Sequence, residues 1–182
     1  LGGLTTMFLF LTHGAIFVSL KTDGEMRYRA SALATKLGLV ATALAVAFLL
    51  WGQFAYSHNT WSLIPVGIAA VSWLAAVYMN FKGREGWAFA FSAVTQAAAV
   101  ASVISFLFPY VMPGLNGVEG LTIYNASSTE GTLKIMTIVA VAITPVVLAY
   151  QGWTYWVFRK RLTAEMIPNP EAGVLDAEPT HV

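Results

Sequence analysis

Residues 37–81 read LGLVATALAVAFLLWGQFAYSHNTWSLIPVGIAAVSWLAAVYMNF and contain no Asp, Glu, Lys or Arg. A helix crosses the hydrocarbon of a membrane in about 20 predominantly apolar residues. The run is therefore too long for one crossing and the right length for two. The polar group Tyr56-Ser57-His58-Asn59-Thr60 divides it, which predicts spans over about 33–55 and 62–81 joined by a turn. Membrane-crossing strands alternate apolar and polar residues over only about 10 positions. This run is instead continuously apolar and rich in Ala and Leu.

Three further stretches free of charge lie outward from it: Leu1–Leu20, Gly86–Val118 and Ile135–Phe158. They predict spans over about 1–20, 87–108 and 132–158. The expected fold is all-α, a polytopic transmembrane helix bundle of five spans within residues 1–162. Residues 163–182 hold four acids, three prolines and no Lys or Arg, a composition that predicts a disordered cytoplasmic tail. The whole composition agrees with a membrane protein. Of 182 residues, 57% are apolar and 10% charged, and the mean hydropathy is +0.66, whereas soluble domains carry roughly 25% charge. With no Cys, disulfide frameworks and thiolate metal sites are excluded, and a formal net charge of +1 argues against nucleic acid as a partner.

The basic residues give an orientation. Lys21, Arg27, Arg29 and Lys36 follow span one, Lys82 and Arg84 follow span three, and Arg159, Lys160 and Arg161 follow span five. With five alternating spans these nine fall on one side and only Lys134 on the other. The positive-inside rule makes the nine-residue side cytoplasmic. One span more or fewer would scatter them over both sides. Trp51 and Trp61 flank the outer turn, and Trp87, Trp153, Tyr155 and Trp156 fall near the inner surface, as an aromatic belt would.

Local punctuation supports these limits. Phe108-Pro109-Tyr110-Val111-Met112-Pro113-Gly114 ends span four, because Pro cannot continue a helix cheaply, and an outer loop of about 20 residues is expected by the span arithmetic. Ser127-Ser128-Thr129-Glu130 offers a capping box for span five, and Pro145 is expected to kink that span. The first residues lack the basic segment and small-residue cleavage site of a signal peptide. Leu1-Gly2-Gly3 opening onto apolar sequence reads as the later part of a longer protein.

Ionisable groups within a membrane are costly and therefore candidates for function. His13 is the one His, Asp, Glu, Lys or Arg well inside a span. It could ligate a haem iron or relay a proton, and more commonly such a residue is a hydrogen-bonded packing histidine. His58 and His181 fall in a turn and the tail, away from a facing span. Met7, Met79 and Met136 could be axial ligands, though methionine is more often a filler of apolar gaps. Gln53, Gln96, Gln151 and Asn80 could line a quinone or water pocket, and more often such groups bond between helices. Rows of small residues, Ala34-Gly38-Thr42 and Ala93-Ala97-Ala101-Ser105, predict close helix packing. The mixed-charge segment Lys21-Thr22-Asp23-Gly24-Glu25, with Arg27 and Arg29, reads as a cytoplasmic loop that either docks a partner subunit or anionic lipid or simply connects. Asn125-Ala126-Ser127 matches a glycosylation triplet but suits a turn better. The residues alone thus describe a membrane bundle with no catalytic site and no metal ligand set of its own.

Several stretches together carry a family likeness: His13-Gly14-Ala15 leading to Leu20-Lys21-Thr22-Asp23-Gly24-Glu25; Trp87-Ala88-Phe89-Ala90-Phe91-Ser92; Phe108 to Pro113; Asn125 to Ser128; Thr132-Leu133-Lys134-Ile135-Met136-Thr137; and Pro145 to Trp156. In order and spacing the chain resembles the C-terminal half of subunit II of cytochrome bd-type quinol oxidases. The resemblance implies an accessory subunit of a bacterial plasma-membrane complex that oxidises quinol and reduces oxygen to water in aerobic respiration. Haems b and d would then sit in the partner, subunit I, and quinol would be a substrate of the complex. Membrane lipid and quinone are implied as further partners. The family's residues discussed for proton entry belong to the N-terminal half, so none is carried over. His13 and Gln96 stay as the candidates for a cofactor contact. A piece of a secondary transporter and a pure assembly scaffold are the alternatives. Transporters usually place broken helices and buried charges at mid-membrane, and such charges are nearly missing here.

Overall fold

The computed structural model describes residues 1–56, 60–114 and 120–163. Five helices in it are long and apolar enough to cross a membrane: α1 Gly2–Lys21, α2 Gly24–Ala55, α3 Leu63–Phe81 with a 3-10 turn Thr60–Ser62 ahead of it, α4 Glu85–Leu107 and α5 Glu130–Val157. The all-α architecture with five candidate spans is as expected. The turn residues Ser57, His58 and Asn59, the tail 164–182 and its His181 lie outside the described residues.

Three local expectations change. The segment read as a mixed-charge loop is mostly helix. Asp23 caps α2 by accepting from the Gly24 amide, so Glu25, Arg27 and Arg29 sit in the first turns of a 32-residue helix. Only Thr22 and Asp23 connect it to α1. At α5 the capping box does not form. Thr129 is the N-cap without a side-chain bond to the backbone, and its hydroxyl pairs with that of Thr132 at 3.0 Å. Glu130 in the first turn still meets the positive end of the helix dipole. The segment between α4 and α5 contains a small antiparallel pair, β1 Tyr110–Met112 with β2 Leu121–Thr122. Asn125 serves its turn, accepting from the Thr122 amide at 2.6 Å.

The helices α1 to α4 form a closed ring. α1 packs along α2 and α3 along α4, and weaker contacts of α1 with α4 and α2 with α3 complete it. Close packing here rests on small residues, since hydrocarbon gives no hydrophobic drive between helices. Ala34 and Ala41 on α2 and Ala88 on α4 are buried, as is Gly38. Gly38 faces Thr12 of α1 and Val77 of α3. The second predicted small row turns out differently. Ala93, Ala97 and Ala101 are exposed, and the buried stripe of α4 is Ala88, Ser92, Thr95, Ala98, Ser102 and Ser105. Alanine frequency alone could not separate the two faces of that helix.

Helix α5 stands apart. None of its residues is buried, and Pro145 lies within it, leaving the carbonyl of Val141 without its usual helical donor.

One close approach sets a limit on sequence. A Cβ added at Gly52 would lie 2.7 Å from the ring of Phe106, which is itself 4% exposed. Gly52→Ala is expected to destabilise the fold by about 1–3 kcal/mol through overpacking. Gly67→Ala, with nothing within 4 Å of the new methyl, should shift stability by under ~1 kcal/mol. Thermal melts of the two variants in detergent check the contrast.

Candidate functional site

Three polar features occur within this apolar bundle, and each is built by helix geometry. The first is at His13, on the face of α1 turned toward α4. Its Nδ1 lies 2.7 Å from Ser92 Oγ, and its ring stacks on Phe89 with centroids 4.5 Å apart. Ser92 Oγ also lies 2.8 Å from the Phe89 carbonyl. A serine hydroxyl has one proton. With that proton in the helix bond, His13 donates from Nδ1 and keeps a bare Nε2. Between His13 and the basic end of the bundle lies the apolar cluster of Ala15, Ile16, Ala34 and Ala88. His13 is thus a partnered histidine cut off from that end by about two helical turns of α1, roughly 12 Å.

The second feature is a cavity of about 350 Å³ inside the half of the ring away from the basic residues. Thr5 and Leu9 of α1, Thr42 of α2, Trp73 of α3 and Gln96 and Val100 of α4 are among its walls. Most of its polar groups are satisfied. Thr5 donates to the Leu1 carbonyl at 3.1 Å, Thr42 to the Gly38 carbonyl at 2.7 Å and Thr95 to the Phe91 carbonyl at 2.9 Å. Trp73 Nε1 donates to Thr42 Oγ1 at 2.7 Å. Gln96 Nε2 is the exception: it is buried without a hydrogen-bond partner.

The third feature lies at the basic end. Glu85, the first residue of α4, is 5% exposed and binds two guanidinium groups: Arg27 of α2 at 2.7 Å and Arg161 beyond α5 at 3.4 Å. Close by, Lys21 Nζ donates to the Phe158 carbonyl at 2.5 Å, and the Leu162 amide donates to the Lys21 carbonyl at 2.8 Å. These bonds form a clasp that ties the end of α5 to α1, α2 and α4. They also bring three basic residues, Lys21, Arg27 and Arg161, from three separate segments to one end of the bundle, as the alternating five-span arrangement requires.

The remaining candidates fall as follows. Asn80 bonds from α3 to α2, donating to Thr35 Oγ1 at 3.0 Å and to the Ser31 carbonyl at 3.3 Å. Gln53 accepts from Ser62 at 3.0 Å. Both pack helices together. Met79 packs against the Ala15–Ala88 cluster, Met7 and Met136 are exposed, and Gln151 is exposed on α5. His13 and Gln96 are in separate places rather than one site. Among the described residues, no group of three His, Cys, Asp or Glu could hold a metal ion. One imidazole, tied to serine through Nδ1 and stacked on a phenyl ring, does not fit a haem ligated from both sides by this chain.

A family model described as cytochrome bd terminal oxidase subunit II matches residues 1–158. The chain belongs to that family. Cytochrome bd ubiquinol oxidase subunit 2 of Bacillus subtilis is 34% identical over 90% of the chain and 50% of its own length. Cytochrome bd-I ubiquinol oxidase subunit 2 of Escherichia coli K12 is 28% identical over 92% of the chain and 53% of its own length. The probable cytochrome oxidase subunit 2 of Haemophilus influenzae is 28% identical over 91% and 52%. The chain therefore spans about half the length of the curated relatives it matches. With the five candidate spans, membership supports a multi-pass membrane protein.

The Glu85 clasp was not legible in the sequence, where Arg27 and Arg161 read as solvated topology charges. The signal that could have found it is Glu85 itself, an acid heading a span amid basic residues. Because it removes the carboxylate that both Arg27 and Arg161 bind, Glu85→Gln is expected to release the end of α5. Trypsin should then cut after Lys160 and Arg161 several-fold faster than in the parent, whereas Glu25→Gln, whose pair with Arg29 is exposed at 3.9 Å, should leave the rate unchanged.

Proposed function

We propose that this chain is part of the accessory membrane subunit of a bd-type terminal oxidase that oxidises quinol and reduces oxygen to water, with haems b and d carried by the partner, subunit I. The observation that carries this reading is the continuity of the family match across all five helices. The polar chemistry supports it. Haem, when bound in the complex, supplies the electron transfer and oxygen chemistry. This chain's own residues hold a bundle: Asn80, Trp73 and His13 each tie two helices together.

The basic side is assigned to the cytoplasm, because nine of the ten Lys and Arg residues belong to it and such residues set orientation. His13 and Gln96 are assigned as positioning residues, since neither completes a ligand set. The role is then architectural support for the haem-bearing subunit, with quinone and lipid meeting the complex elsewhere or at its surface.

Two measurements test this. A complex purified through this chain should show b- and d-type haem bands in reduced-minus-oxidised spectra, and a stable complex without haem overturns the reading. In that complex His13→Ala and Gln96→Leu are expected to lower yield or melting temperature while leaving turnover per haem within about twofold, the range of an interhelical bond of roughly 0.5 kcal/mol. A loss of turnover of 100-fold with assembly intact would instead place His13 or Gln96 in the reaction.

A further inference from the structure

Helix α2 starts at Gly24 rather than near residue 33, and this carries Lys36 inward. Arg27 meets Glu85 at the basic end. Lys36 follows Arg27 by nine residues, about 13 Å further along the axis. Two residues beyond Lys36, Gly38 faces Thr12 of α1, and Thr12 lies nine residues before Lys21, the last residue of that helix. Lys36 is therefore close to the level of His13 and about 10 Å inside the level of Lys21. It is exposed and makes no hydrogen bond or ion pair among the described residues. An ammonium at that depth in hydrocarbon is costly unless it reaches water or a counter-charge.

Helix geometry gives the direction of escape. Side chains on a helix lean toward its N-terminus, and the N-terminus of α2 is the basic end. The four-carbon stem of Lys36 reaches roughly 6 Å, enough to lift the ammonium most of the way to the Lys21 level. Arg29 precedes Lys36 by seven residues. Seven residues differ from two full turns by only about 20°, so both cations share one face, with Arg29 about 10 Å nearer the basic end. The pair of Arg29 with Glu25, at 3.9 Å, is exposed on both sides and holds Arg29 weakly. No acid lies between residues 29 and 36, and Leu33, Leu39 and Val40 leave apolar surface open around Lys36.

We propose that the Arg29–Lys36 face of α2 binds an anionic phospholipid, with its phosphodiester between the two cations and an acyl chain over Leu33, Leu39 and Val40. Charge, depth and side-chain direction together select this occupant. A phosphate resides at the membrane edge, where the Lys36 ammonium arrives by snorkelling, and two cations at that edge attract anionic lipid. A carboxylate from a protein segment would have to be desolvated alongside the ammonium, which costs both ions. A zwitterionic lipid brings its own ammonium to the same point and cancels part of the attraction. The site requires only that α2 crosses a membrane, so it goes beyond the oxidase reading without depending on it.

The test uses the purified complex that contains this chain, exchanged into mixtures of dioleoyl-phosphatidylglycerol and dioleoyl-phosphatidylcholine, with retained phospholipid counted by native mass spectrometry. The unsubstituted complex is expected to retain phosphatidylglycerol in preference to phosphatidylcholine. Lys36→Gln and Arg29→Gln should each weaken that retention about fivefold, the effect of one Lys or Arg near an anionic surface, and Lys36→Arg should keep it. Lys160→Gln, exposed in the segment after α5, should leave it unchanged. Equal retention in Lys36→Gln and the unsubstituted complex overturns the site, as does equal retention of the two lipids. A second measurement needs no variant. Carbodiimide joins an amine to a carboxylate in contact with it, and Lys36 is expected to give no such product. A crosslink from Lys36 to an Asp or Glu of any protein segment overturns lipid as the occupant. Haem spectra of the same sample test the oxidase reading, so a haem-containing complex that fails these tests sinks only the lipid site.

Discussion

Hydrocarbon offers no hydrogen bonds, and that constraint governs nearly every polar residue in this chain. The hydroxyls of Thr5, Thr12, Thr42, Ser92, Thr95, Ser102 and Ser105 each return to a carbonyl three or four residues earlier in their own helix. Those bonds let small polar residues line helix contacts without needing a partner across the gap. Where a group cannot satisfy itself, a neighbouring helix does so: Asn80 reaches Thr35, Trp73 reaches Thr42, and His13 reaches Ser92. Each such bond joins two helices at one registered height. The ring of α1 to α4 is therefore specified by a few polar cross-ties set among small residues, with large apolar side chains left to face outward.

The charged end obeys a different rule. Glu85 is buried and would be strongly unfavourable alone. Arg27 and Arg161 approach its two oxygens from opposite ends of the chain, which makes the carboxylate the meeting point of α2, α4 and the segment after α5. A helix with none of its residues buried is nevertheless tied to the others at one end. Lys21 adds a second tie by donating to the last turn of α5, where the Phe158 carbonyl has no helical partner. An ammonium at a helix C-terminus also meets the negative end of the dipole, so the tie has both a hydrogen bond and a field behind it.

What was legible in the sequence follows from which physical effect each feature depends on. Span number depends on the length of charge-free runs, a one-dimensional quantity, and the 37–81 stretch with its polar break is enough to count two crossings. The side on which basic residues fall is equally one-dimensional. The face of a helix that becomes buried is not. Ala34-Gly38-Thr42 and Ala93-Ala97-Ala101 are similar rows, yet the first lies in the ring and the second lies outside it. The difference comes from Ser92, Thr95 and Ser102, whose self-satisfied hydroxyls pack as readily as alanine and so were hidden as polar residues. The start of α2 was misplaced for a related reason. Charge suggested a loop from Lys21 to Arg29, but charged residues outside the hydrocarbon are good helix formers, and Asp23 caps the helix there.

The candidate site was legible only as isolated residues. His13 stood out because it is ionisable, and Gln96 because it is polar, but neither property reveals what lies opposite. Pairing needs the third dimension, and it separates the two. His13 is satisfied through Nδ1 and closed off from the basic end by Ala15, Ile16, Ala34 and Ala88. Gln96 keeps an unpaired amide at an apolar cavity. An unpaired donor at that depth is tolerated only if the fold gains elsewhere or another molecule supplies the acceptor. The same logic applies to Gln151 at larger scale. A bundle that satisfies its hydroxyls so thoroughly leaves two glutamine amides open, one facing inward and one on the helix that stands outside the ring.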